Sequence, residues 1–443
     1  MAGVSGSIDL GPAVSPDLRW VADVLWGSLE GVRVRLGDPP PGATVLADLR
    51  VVPSASKPRL LVPADGAASR AAFTSGGAIR GWRARVARAS SGTLLRGPLW
   101  RAAFRDRLVV VDAGGGAHTL GDALAEMLGE PVLLAVNVRP PSPTRKPVVQ
   151  VLDARGRTLA YAKVAWHGFS DRNVRAETTF LRSIAGADLG LAAPTPIGEF
   201  TWGGYPVLVT APMPASLRRY PASRGVPDVD LTRGIASLFG TTTTPWRASR
   251  ARTELRARAD ELAADHPPDG GLVTEQPAPR PVPRPVRRPE PQPVLRMVGR
   301  EVLRLLEQMD RSADVSVESG AWHGDWSPWN LGLQGDHLWA WDWEFARRDV
   351  LVGMDLVHFP FQLAFIARRQ GFTASLAAAR AGAAPSLAAL GVDPPGRDLV
   401  YAAHASEVAL RYLASARAGV AAPPRFADEA QAALRAESDR LGR

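Results

Sequence analysis

The chain has 443 residues, 46% of them hydrophobic, and a formal charge of +9. That length holds two or three domains with a sizeable core, and the absence of cysteine excludes disulfides, thiolate metal sites and cysteine nucleophiles. Only Lys57, Lys146 and Lys163 are lysine, leaving 50 of the 53 basic residues as arginine in a chain rich in Ala, Gly and Pro. The charge therefore reads as a coding bias rather than a nucleic-acid surface, and a surviving lysine marks a place where an ammonium is wanted.

No segment reaches the roughly 18 uncharged apolar residues that cross a bilayer. The best stretch, 356–367, contains Pro360 and runs into Arg368 and Arg369. The first residues, MAGVSGSIDLGPAVSPD, lack a basic region before an apolar core, so the expected compartment is the cytoplasm.

Residues 1–128 read as a small α/β domain of unknown role. Strands are expected over 44–52, 59–62 and 108–111, and helices over 18–29 and 79–89. After Gly114, Gly115 and Gly116 a helix is expected, capped by Thr119 with Asp122 three residues on. The next glycine, Gly121, comes two residues late for a dinucleotide fingerprint, which leaves a tight turn.

From residue 132 the pattern becomes three β runs, 132–138, 148–153 and 159–165, with a hairpin turn at 154–157. A helix follows over 172–184, capped by Ser170 or Asp171, then strands at 196–200 and 205–210 and a connector at 211–214. The rest reads as mainly helical, with one strand at 337–342. Inside it, 267–293 is too proline-rich for helix or central strand and reads as an extended excursion.

The chemistry concentrates in His323-Gly324-Asp325-Trp326-Ser327-Pro328-Trp329-Asn330. This loop offers a carboxylate and an amide five residues apart, and the β run 339–341 delivers Asp342 and then Glu344. Alternate strand residues share a face, so both carboxylates point one way while the strand persists. Such oxygen donors suit Mg²⁺. Phosphoryl transfer also needs a lysine on the phosphates and an aspartate at the attacking hydroxyl. Lys163 in the third β run, with Glu177 fourteen residues on to fix it, supplies the first. Trp326 and Trp329 either line an acceptor pocket or pack the loop.

In this ordered set the chain resembles the aminoglycoside phosphotransferase, choline kinase and homoserine kinase group of the protein-kinase-like superfamily, from about residue 132 onward. The resemblance implies an α+β, two-lobed protein-kinase-like fold: a small β-rich lobe and hinge over 129–213 and a helical large lobe over 214–443. It implies ATP and Mg²⁺ as cofactors and a small-molecule hydroxyl as acceptor. Asp325 matches the catalytic aspartate, with His323 holding the loop; Asn330 and Asp342 match the metal ligands, with Glu344 in a weaker role. Asp355 matches a structural aspartate beneath the loop, and Ala211 to Met213 the hinge that meets adenine. The phosphate-covering loop, 139–146, contains no glycine. That departure leaves a second expectation, a catalytically silent kinase-like protein acting as an interaction module.

Overall fold

The computed structural model describes residues 7–64, 104–264, 292–418 and 425–442, with 115, 141, 143 and 313 excepted, together with 68, 69 and 72. The helix expected over 79–89 and most of the proline-rich stretch lie outside the described residues. The structure is α+β and divides into two compact units. One draws on Met1–Thr178 and Pro194–Leu217, the other on Thr179–Ala193, Arg218–Glu275 and Pro285–Arg443.

The first unit is built on one ten-stranded sheet. Its strands are β1 (Ser7–Asp9), β2 (Val32–Leu36), β3 (Val45–Val52), β4 (Leu60–Pro63), β5 (Arg107–Asp112), β6 (Leu133–Asn137), β7 (Val148–Leu152) and β8 (Thr158–Val164). After β9 (Leu191–Ala192), which belongs to the other unit, come β10 (Pro196–Trp202) and β11 (Tyr205–Thr210). The spatial order is β1-β2-β5-β3-β4-β6-β7-β8-β11-β10. A separate domain ending near 128 was expected; instead β4 pairs antiparallel with β6, Leu60 opposite Asn137 and Leu61 opposite Val136, and the sheet runs across that point.

Two helices show why these residues fold as they do. α1 (Pro16–Trp26) starts with proline in its first turn and Ser15 accepting the Asp17 N–H, then buries Leu18, Val21 and Leu25. α2 (Leu120–Leu128) has a complete capping box between Thr119 and Asp122 and ends on Gly129 in the left-handed region, φ +74°. Their apolar faces join the sheet positions Val34, Val51, Val110, Val136, Val149 and Val164 in one core. Beyond β8 the chain enters α3 (Gly168–Ile184), which begins four residues before the expected start. Ser170 there accepts the N–H groups of Trp166 and His167.

The second unit holds α4 (Val229–Ser237), α5 (Arg250–Ala263), α6 (Gln292–Met309), α7 (Met354–Gln362), α8 (Phe372–Ala389), α9 (Pro394–Arg417) and α10 (Phe426–Leu441). It also carries two small sheets where one strand was expected. β12 (Arg218–Arg219), β15 (Leu331–Gln334), β16 (His337–Ala340) and β9 form the first; β13 (Thr242–Pro245), β14 (Ser316–Trp322) and β17 (Arg347–Leu351) form the second. Short strands of this kind leave too few alternations for periodicity to show them. α9 is the central helix: every residue from 399 to 410 is buried, so it is apolar on all sides except where His404, Ser406 and Glu407 interrupt it.

Candidate active site

The loop 323–330 leaves β14 and returns into β15, and buried hydrogen bonds fix its first residues. Asp355, in the first turn of α7 and 1% exposed, accepts the N–H of His323 at 2.7 Å and of Gly324 at 3.1 Å. Gly324 sits at φ +83°, where a Cβ would strike the Phe345 carbonyl, so only glycine fits. The His323 ring is fully buried and bridges two backbone groups. Its Nδ1 accepts the Asp325 N–H at 3.2 Å, which leaves Nε2 to donate to the Trp341 carbonyl at 3.1 Å. Burial pulls the pKa of His323 down to about 4, against the opposing pull of Asp325 and Asp342. It is a neutral strut.

Asp325 is therefore presented by a rigid turn, and its carboxylate is held at both oxygens. Asn330 donates its side-chain amide to Asp325 Oδ2 at 2.7 Å and to the Asp325 carbonyl at 3.1 Å. His358 Nε2 lies 3.3 Å from Oδ1, and the Gln362 amide donates to the same oxygen at 3.4 Å. Burial raises the Asp325 pKa; Arg411 opposes the rise and Asp342 adds to it. Arg411 also donates to the Gly324 carbonyl at 2.6 Å, with its guanidinium 4.3 Å from the centre of the Phe345 ring.

The β15–β16 hairpin brings Asp342 to the same place. Trp341 donates its N–H to the Asn330 carbonyl at 3.1 Å, one residue beyond the Leu331–Ala340 pair. The strand, expected to run to Asp342, is two residues shorter. It stops at Ala340, Asp342 turns left-handed at φ +69°, and Trp343–Phe345 is a single 3-10 turn. The alternation that would align Asp342 with Glu344 is thus lost, although both remain partly exposed. Among the described residues no group of three or more His, Cys, Asp or Glu side chains is placed to hold a metal. The Asn330 amide nitrogen is committed to Asp325, so its oxygen is the atom it offers. An amide oxygen with one or two carboxylates fits Mg²⁺, which normally completes its shell with phosphate and water. Trp326 is buried against the His323 ring, centroids 5.5 Å apart, and packs the loop; Trp329 is half-buried.

The first unit carries the other expected residues. Lys163, on β8, donates from Nζ to Glu177 Oε1 at 2.6 Å and Oε2 at 2.8 Å, with side chains 20% and 2% exposed. Ala211 and Met213 follow β11 outside any strand, the Ala211 N–H bonded to the Thr195 carbonyl at 2.8 Å. In the glycine-free loop, Arg145 donates to the Pro140 carbonyl at 2.9 Å and its own carbonyl accepts the Trp166 indole at 2.7 Å.

His358, Gln362, His404 and Arg411 did not stand out in the sequence. Two of them carried a signal: His358 and Gln362 are the polar residues of the apolar run 356–367, four apart and so on one helical face.

Comparison with solved structures finds related shapes at low identity. A thermostable mutant of aminoglycoside phosphotransferase APH(4)-Ia, solved with ADP and hygromycin B, aligns with a TM-score of 0.45 at 13% identity, over 73% of this chain and 98% of that one. Choline kinase LicA from Streptococcus pneumoniae aligns at 0.41 and 13%, over 67% and 90%. A glucosamine kinase solved with glucosamine, ADP and inorganic phosphate aligns at 0.37 and 13%, over 70% and 90%. No protein-family model matches the chain, and no curated protein matches its sequence.

Proposed function

We propose that the chain is an ATP- and Mg²⁺-dependent phosphotransferase acting on a hydroxyl of a small molecule. The observation that carries this reading is the doubly held carboxylate of Asp325: Asn330 on Oδ2 and His358 on Oδ1, on a loop pinned by Asp355. A carboxylate fixed in this way orients a hydroxyl rather than attacking by itself. The acceptor oxygen forms its bond to the γ-phosphorus as the bond to the β,γ-bridging oxygen breaks. ADP leaves with that electron pair, and the hydroxyl proton passes to Asp325. Lys163, fixed by Glu177, supplies an ammonium to the phosphates, and Ala211 and Met213 offer backbone groups to the adenine. Asn330 and Asp342, with Glu344 in a lesser role, would hold Mg²⁺, which when bound neutralises phosphate charge.

The test is ADP release from MgATP with glucosamine, choline and hygromycin B as separate acceptor probes, by wild type, Asp325→Ala and Asp342→Ala. Loss in both variants supports the assignment, and equal turnover in all three refutes it. The tied, glycine-free loop favours one rival, a kinase-like protein without catalysis. A wild type that millimolar MgATP does not stabilise against heat would support that rival.

A further inference from the structure

Behind Asp325 lies a line of buried ring nitrogens. His358 Nε2 is 3.3 Å from Asp325 Oδ1, and His358 Nδ1 is 3.1 Å from His404 Nε2. His404 Nδ1, at the far end, is buried with no hydrogen-bond partner among the described residues. The rings are 1% and 0% exposed, on α7 and on the central helix α9. Each is packed by aromatic groups: His358 edge-on to Trp322 at 6.1 Å, and both against Phe361.

We propose that His358, with its tautomer set by His404, is a positioning residue that fixes the Asp325 carboxylate for catalysis. This inference rests on the phosphotransferase reading of Asp325. Protons can be ordered along such a line in two ways. If both hydrogens sit on Nδ1, His358 turns a lone pair toward the ionised Asp325, and His404 buries an N–H with nothing to receive it. If both sit on Nε2, His404 donates to His358, His358 donates to Asp325 Oδ1, and the orphan left on His404 is only a lone pair. The second order turns an N–H rather than a lone pair toward the ionised carboxylate 3.3 Å away, and a hydrogen bond to a charged acceptor is the stronger kind, so the second order is preferred. The Gln362 amide lies 2.9 Å from the same His358 nitrogen; in this order a half-turn lets its oxygen share the His358 N–H in place of its own bond to Oδ1, and its nitrogen takes the position of Oε1, which has no partner among the described residues. Burial lowers the pKa of both imidazoles well below the usual histidine range, so the line stays neutral and does not accept the hydroxyl proton.

The consequence is a division of labour on one carboxylate. His358 aligns Oδ1 and Asn330 aligns Oδ2, so the plane of Asp325 is set from two elements. A misplacement of about 1 Å at such a group costs on the order of a hundredfold in rate.

Two measurements on the full-length chain decide this. In ¹⁵N–¹H spectra of ¹⁵N-histidine-labelled wild type, both rings should be neutral with hydrogen on Nε2; hydrogen on both Nδ1 atoms overturns the proposal. In ADP release from MgATP with water as acceptor, His358→Leu should lower kcat by about tenfold or more while KM for ATP stays within about twofold. His358→Gln, whose amide can reach the position of Nε2, should recover most of the loss. Equal loss in both variants, or a raised KM with kcat unchanged, also overturns it. A wild type that releases no ADP counts against the phosphotransferase reading alone, since the spectra still judge the histidine line.

Discussion

Asp355 accepts the backbone N–H of His323 at 2.7 Å, and with that bond the first turn of α7 sets where Asp325, two residues on, must stand. The same carboxylate takes the Gly324 N–H, so two buried donors depend on one side chain. Asp355→Ala leaves both unpaired. The expected cost is about 2–4 kcal/mol, read from chemical unfolding of the full chain. A variant as stable as wild type would show that the loop finds other partners.

The pH dependence of that carboxylate has opposite signs for folding and for activity. Burial pushes the Asp355 pKa up to about 7, against the pull of its two N–H bonds and of Arg411. A carboxyl whose folded pKa is raised contributes stability below its unfolded value, and this is lost as pH rises through about 7. The loop, however, is fully held only by the ionised form, because a protonated carboxyl has fewer acceptor positions. ADP release should therefore rise with pH through neutrality, and Asp355→Asn should flatten the rise. A profile unchanged in that variant would remove Asp355 from the explanation.

Lys163 and Glu177 make a sharper case for residue identity. Glu177 is 2% exposed, so removing its partner strands a buried charge. Lys163→Met should cost about 3 kcal/mol and abolish thermal stabilisation by MgATP. Lys163→Arg should restore part of the stability but not the response to nucleotide, because a planar fork taken up by both Glu177 oxygens does not present a compact ammonium to the phosphates. Full nucleotide response in the arginine variant would refute that role for the ammonium.

These residues also show what the sequence could and could not disclose. Lys163 and Glu177 were legible because a strand and the helix after it fix their spacing, and Asp325 with Asn330 because one short loop holds both. Asp355 stood out beside them, through the family resemblance. His404 and Arg411 were not legible. They lie on α9, far along the chain, and meet the site, His404 at His358 and Arg411 at the Gly324 carbonyl, only because that helix passes through the centre of the unit. The strand carried to Asp342 instead of Ala340 was a local error: nothing in Trp-Asp-Trp-Glu announces that Asp342 turns left-handed. The sheet shared by residues before and after 128 was hidden for a similar reason, since β4 and β6 meet across about seventy residues of sequence, and pairing at that distance leaves no periodic trace.

Gly324 gives the simplest steric prediction. Its φ of +83° is open to glycine, and an added methyl meets the Phe345 carbonyl, a backbone atom that cannot swing aside. Gly324→Ala should destabilise by about 1–3 kcal/mol and lower ADP release at least as much as Asp355→Asn does. An alanine variant with unchanged melting temperature and turnover would mean that the left-handed turn is dispensable.

Glu407 tests whether the site's electrostatic floor is structural or incidental. On α9 and 2% exposed, it accepts hydrogen bonds from Arg258 at 2.5 Å and from Arg347, and forms an ion pair with Arg411 at 3.5 Å. These three guanidinium groups hold its pKa well below the usual carboxylate range despite burial. Arg347 is itself buried deeply enough for its own pKa to fall. Glu407→Gln keeps the shape but removes the charge with which all three pair, so the loss should be about 3–5 kcal/mol. Arg258→Met, which leaves two arginines on the carboxylate, should cost less. Activity should follow a different order: Arg411 also carries the Gly324 carbonyl, so Arg411→Met should cut ADP release more than Arg258→Met at equal folded fraction. If the two arginine variants lose stability and turnover in the same proportion, the cluster acts on folding alone and the link from α9 to the Asp325 loop is not functional.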